Sequence, residues 1–290
     1  MVPNCFNLQN HPNNMIPRWA LGEIVGTFLL IFFGCGAVAG AVAFGAFQGV
    51  FQVAMVWGVG LTVAIYLTQG HSQAHFNPAI TWAMFLFRKM EGKQAIGYVV
   101  CQFLGAFIAA ACLFLIFREA LAVHESALGI VRGESGSEAT AMVFGEFYPN
   151  PGGKPLAEGA TKKLSLGSAF IAEVLGTGLL AFAVFGFTSP AIGPRLGPAV
   201  PLAIGATLMV LICLFGPVTM ACFNPARDLS PRLFSALAGW GTLPFHVNGH
   251  GWWLVYILAP VCGSTLGGWL AVRMIEGSAG PSRSALGRQR

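Results

Sequence analysis

Charge is what this sequence has least of: Asp, Glu, Lys and Arg together make up 9% of its 290 residues, and Asp228 is its sole aspartate. A soluble surface draws on roughly a quarter to a third charged residues, so this scarcity, beside 55% hydrophobic residues, excludes an ordinary water-exposed globule. Paired cysteines are missing too. Cys35, Cys101, Cys112, Cys213 and Cys262 are scattered through apolar runs without CxxC or Cys–His spacing, which excludes a zinc module or redox motif and leaves them as small apolar side chains. No nucleophile with a base and no metal-ligand set stands out, so neither enzymatic activity nor a cofactor is expected. The net charge of +5 sits at separated edges and not in a basic run, so nucleic acid is not expected as a partner.

Long apolar runs are abundant instead. They cover about 18–41, 50–69, 94–117, 165–187, 198–215 and 251–275, each near the roughly 20 residues that cross the hydrocarbon core of a bilayer. The spacing predicts an all-α membrane protein with six transmembrane helices. No small-residue cleavage pattern follows the first run, so it is read as helix one and not as a removable signal peptide. Arg88, Lys89, Lys93, Arg195, Arg273, Arg283, Arg288 and Arg290 all fall on one side of such a bilayer, together with both termini. By the positive-inside rule that side is cytoplasmic, and the host is expected to be the cell membrane. The opposite loop, 119–164, carries Glu119, Glu125, Glu134, Glu138, Glu146 and Glu158 against four basic residues.

The chain also repeats itself. ALGEIVGTFLL (20–30) matches FIAEVLGTGLL (170–180), with Glu23 over Glu173, and HFNPA (75–79) matches CFNPA (222–226). Three spans per copy is an odd number, so the second copy enters the membrane from the opposite face and the repeats are inverted. The expected organisation is a cytoplasmic segment 1–17, a first repeat 18–118, an outer linker 119–164, a second repeat 165–275 and a tail 276–290.

Each Asn-Pro-Ala triplet is followed by about ten apolar residues, too few to span and suited to a re-entrant half-helix. Asn favours the N-cap and Pro the first helical position, so Asn77, Pro78 and Ala79 start one half-helix and Asn224, Pro225 and Ala226 the other. Inversion brings the two starts together near the midplane. Irregular backbone at that depth is tolerated where it is buried or lines a wet cavity. The carbonyls of 71–76 and 218–223 then offer a ladder of acceptors, the two Asn amides offer donors, and two helix N-termini aimed at one point disfavour cations and protons. Glu23 and Glu173, the acids well inside spans, are expected to brace the loops by accepting backbone N–H bonds, with His75 supporting the wall; a proton relay is the rival role. Gly22/Gly26, Gly36/Gly40 and Gly263/Gly267 have the spacing of close helix crossings.

With the paired triplets, the two glutamates, His75, NPARDLSPRLF (224–234), AGWG (238–241) and FYPNP (147–151) on the page, the chain resembles the major intrinsic protein family of aquaporins and aquaglyceroporins over about residues 18–275. Bacterial glycerol facilitators are the most similar branch. The resemblance implies an aquaporin-like homotetramer with one pore per subunit, and a selectivity constriction at Trp57, Ile212, Ala221 and Arg227. It also makes Asp228 with Arg232 a marker of glycerol-conducting members. Glycerol facilitators tend to carry Gly and Phe at the Ile212 and Ala221 positions, and Pro-Leu where Tyr256-Ile257 stands, which brings urea and metalloid acids into the solute range beside glycerol and water. The expectation is a passive channel for small neutral solutes. A water-selective channel and an alternating-access transporter are the alternatives; the second requires a coupling site that buried charge is too sparse to supply.

Overall fold

The computed structural model describes residues 16–47, 49–157, 159 and 164–276; the expectations for 1–15, Glu158, Arg283, Arg288 and Arg290 lie outside the described residues. The main elements are α1 (Arg18–Phe44), α2 (Val50–Thr68), α3 (Pro78–Leu86), α4 (Gly92–Ala127), α5 (Leu166–Thr188), α6 (Val200–Thr219), α7 (Pro225–Ser235) and α8 (Gly251–Ile275). All except α3 and α7 are long and apolar enough to cross a bilayer, which makes six such helices among the described residues. Large apolar side chains such as Val100, Leu115 and Leu214 stay exposed, as expected where lipid and not water is the outer solvent.

The two copies pack alike. In the first, α1 lies on α4; in the second, α5 lies on α8. The half-helices trade places: α3 packs on α8 and α7 on α4, while α2 and α6 cross at the centre. That crossing uses Gly58 and Gly205, where a Cβ on either would run into the other's carbonyl, and Thr62 Oγ1 donates across it to the Pro201 carbonyl at 3.3 Å.

Two sequence expectations need correction. Gly22 and Gly26 do not meet a neighbouring helix; they make room for the re-entrant loop, with Ser72 against Gly22 and the Phe76 ring against Gly26. Gly36 and Gly40 have only ordinary or slightly close neighbours, whereas Gly263 and Gly267 do press on α5, against Val174 and Gly178. The third span also runs on past residue 118 to Ala127, so the linker begins as helix. In α8 a wide turn at Leu254–Leu258 precedes Pro260, where the missing proline N–H releases a carbonyl one turn back.

Candidate functional site

Two short loops inside the protein carry the matching pentapeptides. In each, the backbone alternates into the left-handed region: Ala74 (φ 54°) and Phe76 (φ 50°) in the first, Ala221 (φ 61°) and Phe223 (φ 52°) in the second. Non-glycine residues rarely stay there unless their surroundings hold them. The hold is a buried glutamate in each copy. Glu23 accepts the backbone N–H groups of His75 and Phe76, both at 3.0 Å, and Glu173 those of Cys222 at 3.0 Å and Phe223 at 2.8 Å. Matching hydroxyls complete the pattern, Ser72 to Glu23 at 2.8 Å and Thr219 to Glu173 at 2.6 Å. The left-handed turns place the Phe76 and Phe223 rings against Gly26 and Gly176, where any side chain would collide.

At the end of each loop an Asn caps its half-helix. Asn77 Oδ1 accepts from Ala79 N at 2.9 Å and Asn224 Oδ1 from Ala226 N at 3.0 Å. Both amide nitrogens reach across, Asn77 Nδ2 to the Phe223 carbonyl at 2.8 Å and Asn224 Nδ2 to the Phe76 carbonyl at 2.9 Å. The two helix starts are thus bonded to each other. An amide nitrogen carries two donors, so one N–H on each remains for the cavity that both residues line. His75 lines the same cavity, its ring nitrogens 3.1 Å from Thr81 Oγ1 and 3.2 Å from Gln73 Oε1.

That cavity has a volume of about 330 Å³ and runs from Gln69 and Lys89 at one end to Arg227 at the other. A second cavity, also about 330 Å³, continues on the linker side past Val42, Met142 and Asn150. Trp57, Ile212, Met220 and Arg227 line both, so these four stand at the boundary between the chambers. Ala221 lines the inner one. The sequence-predicted quartet of Trp57, Ile212, Ala221 and Arg227 is therefore brought together from α2, α6, the second loop and α7.

Arg227 is fixed on several sides. Its guanidinium lies 4.8 Å from the Trp57 ring centroid, its Nη1 donates to the Phe144 carbonyl at 3.0 Å, and its Nε pairs with Glu146. Glu146 belongs to the linker, whose acids read as outward loop charge from sequence. Instead Glu125, Glu138 and Glu146 are buried, with Glu125 in a bidentate pair with Arg132 at 2.8 Å. Residues 138–148 are buried throughout, so this part of the linker folds down onto the boundary.

Asp228 and Arg232 are not among the residues lining either chamber. They form a buried pair on α7, with Arg232 Nη2 to Asp228 Oδ1 at 2.7 Å and Nε to Oδ2 at 2.9 Å. Asp228 Oδ1 also accepts the Glu146 N–H at 2.7 Å, and Arg232 donates to the Glu146 and Pro244 carbonyls. Their contact with the boundary between the chambers is indirect: they anchor the backbone of the residue that pairs with Arg227. Sequence reasoning missed Glu146, Phe144, Met220 and Gln102, whose Nε2 donates to both Glu23 and Thr81. Glu146 left a signal, as an acid inside the apolar stretch AMVFGEFYPNP.

Six spans, two half-helices meeting tip to tip and two adjoining chambers define a membrane channel of inverted repeats. Residues 12–271 match the family model described as Major intrinsic protein. A glycerol uptake facilitator protein of Haemophilus influenzae is 38% identical over 89% of this chain and 94% of its own length. Aquaporin-9 of Homo sapiens is 39% identical over 90% of this chain and 83% of its own. Among solved structures, the aquaglyceroporin from Plasmodium falciparum superposes with a TM-score of 0.75 at 22% identity, covering 89% of this chain and 96% of that one. The chain belongs to the major intrinsic protein family, and it is a multi-pass membrane protein.

Proposed function

We propose that this protein is a passive channel for glycerol and other small uncharged solutes, with some water, that excludes ions and protons. The observation that carries the reading is the boundary between the chambers. Trp57 and Ile212 give it apolar walls, with the Ala221 methyl beside them, and Arg227 gives it a fixed cation. A polyol has a CH edge and an OH edge, and such a lining can take both at once. Arg227 and the converging N-termini of α3 and α7 oppose cations, since the positive end of each helix faces the same point. Sequence likeness to proteins named glycerol uptake facilitators supports the solute class. Urea and metalloid acids share the neutral, compact, hydrogen-bonding chemistry and belong to the same proposal.

In this reading Asn77 and Asn224 donate to the solute at mid-depth, Trp57, Ile212, Ala221 and Arg227 filter it, and Glu23, Glu173 and His75 hold the walls. Asp228 and Arg232 act on solute choice through the linker. The assembly is a homotetramer in the cell membrane, with both termini cytoplasmic.

Stopped-flow light scattering on proteoliposomes tests the solute directly. Shrinkage in an impermeant osmolyte followed by fast re-swelling in glycerol is expected, and the re-swelling should be lost in Ala221→Trp and reduced in Ile212→His. Fast shrinkage with no re-swelling would make the protein a water channel. Saturable uptake coupled to pH or to an ion would make it a transporter.

A further inference from the structure

We propose that Met220 is a specificity-determining wall of the constriction, the movable side that sets the upper width of a solute. The inference rests on the channel reading above and adds a residue to it. Met220 is one of the four residues that line both chambers, with Trp57, Ile212 and Arg227. Its neighbour Ala221 contributes only a methyl, so Met220 is where this loop supplies bulk at the boundary.

Backbone geometry singles out the same residue. The first re-entrant loop has left-handed residues at Ala74 and Phe76; the second has the counterparts Ala221 and Phe223 and one more, Met220, at φ 64°. The corresponding position in the first copy, Gln73, has no such conformation, and its N–H donates to Tyr98 Oη at 3.1 Å. A non-glycine residue in this region is strained, and strain of that kind collects at functional positions. Here it falls on a residue that lines both chambers.

The four walls also differ in freedom. Glu146, Phe144 and the Trp57 ring hold Arg227, and Trp57 packs over Gly34. Ile212 is β-branched and sits within α6, which restricts its first side-chain torsion. Met220 is unbranched, with three rotatable bonds and a polarisable thioether. Among the described residues its side chain has one polar tether, Sδ, which accepts the Phe147 N–H at 3.3 Å, a link to the linker segment that also presents Glu146. An apolar, adaptable wall at the same boundary as a fixed guanidinium suits linear polyols, whose carbon edge it follows up to the width at which it can retreat no further.

The test is re-swelling of proteoliposomes in glycerol, erythritol and xylitol, for the wild type and for Met220→Gly, Met220→Ala and Met220→Leu. Glycine suits the left-handed backbone, so Met220→Gly keeps the loop foldable, and leucine keeps the bulk without the sulfur. The xylitol-to-glycerol flux ratio should rise about tenfold in the Gly and Ala variants, the scale at which apolar pockets discriminate small changes in size, and stay within about twofold of wild type in Met220→Leu. An unchanged ratio in Met220→Gly, with glycerol flux intact, would overturn the proposal, as would a Leu variant that behaves like Gly. Absence of glycerol flux in the wild type would sink the channel reading itself, which separates the two failures.

Discussion

The two half-helices start alike and then diverge. Counting from each Asn, Ile80 stands opposite Arg227, Thr81 opposite Asp228 and Phe85 opposite Arg232. Before the Asn, the two loops remain near copies: glutamate brace, hydroxyl, left-handed alternation and ring-on-glycine contact all recur. The shared features hold irregular backbone at membrane depth, a problem that both copies face equally. The unshared charges gather where the linker folds down, on one side of the passage only. Duplication thus accounts for the scaffold, and the charges at the boundary between the chambers belong to the asymmetric remainder.

The largest effects should come from the shared part, and they should be equal. Glu23→Ala and Glu173→Ala each strand two buried backbone N–H groups, at about 1–3 kcal/mol per orphaned group. Both variants should lose most of their monodisperse, detergent-extracted protein and show strongly lowered thermal midpoints. Tolerance of one but not the other would break the equivalence of the two loops.

A smaller effect should separate the copies. Asp228→Ala leaves Arg232 unpaired at 1% side-chain exposure, and breaking a buried pair in this way costs about 3–5 kcal/mol. Thr81→Ala, the counterpart, removes neutral hydrogen bonds to the Asn77 carbonyl, His75 and Gln102, about 1 kcal/mol net for each. The midpoint of Asp228→Ala should therefore fall further than that of Thr81→Ala. Equal losses would mean that the second half-helix is no more dependent on its charges than the first is on its hydroxyl.

How much of this was legible in the sequence follows from the same division. The spans, the inverted order and the half-helices were readable because run length, Asn-Pro capping and self-similarity are local or periodic signals. The quartet of Trp57, Ile212, Ala221 and Arg227 came from family likeness, and in the structure these four line one cavity. What stayed hidden is long-range pairing. Glu146 lies 81 positions before Arg227 in a linker that reads as an outer loop, and its burial depends on how residues 138–148 fold over the boundary. Gly22 and Gly26 carried the spacing of a helix crossing, but spacing cannot say whether a helix or a loop fills the groove. Met220 was invisible for a related reason, since its role depends on a backbone angle.

The sharpest form of the comparison concerns Arg227 and Ile80, the same position in the two copies with and without charge. Arg227→Ala removes the fixed cation from the boundary between the chambers; burial already raises the Glu146 carboxyl to about 8 against the lowering effect of Arg227, so without its partner that carboxyl holds a proton and the boundary loses its positive charge without gaining a negative one. Ile80→Ala only widens the inner chamber, which Ile80 lines. Monovalent cation leak through proteoliposomes, read with an entrapped potassium-sensitive dye, should rise at least about tenfold in Arg227→Ala, equivalent to about 1.4 kcal/mol of barrier. In Ile80→Ala it should stay at the wild-type level, with glycerol re-swelling retained in both. Leak confined to Arg227→Ala would assign ion exclusion to the asymmetric arginine; a tight Arg227→Ala channel would assign it to the paired helix N-termini that the two copies share.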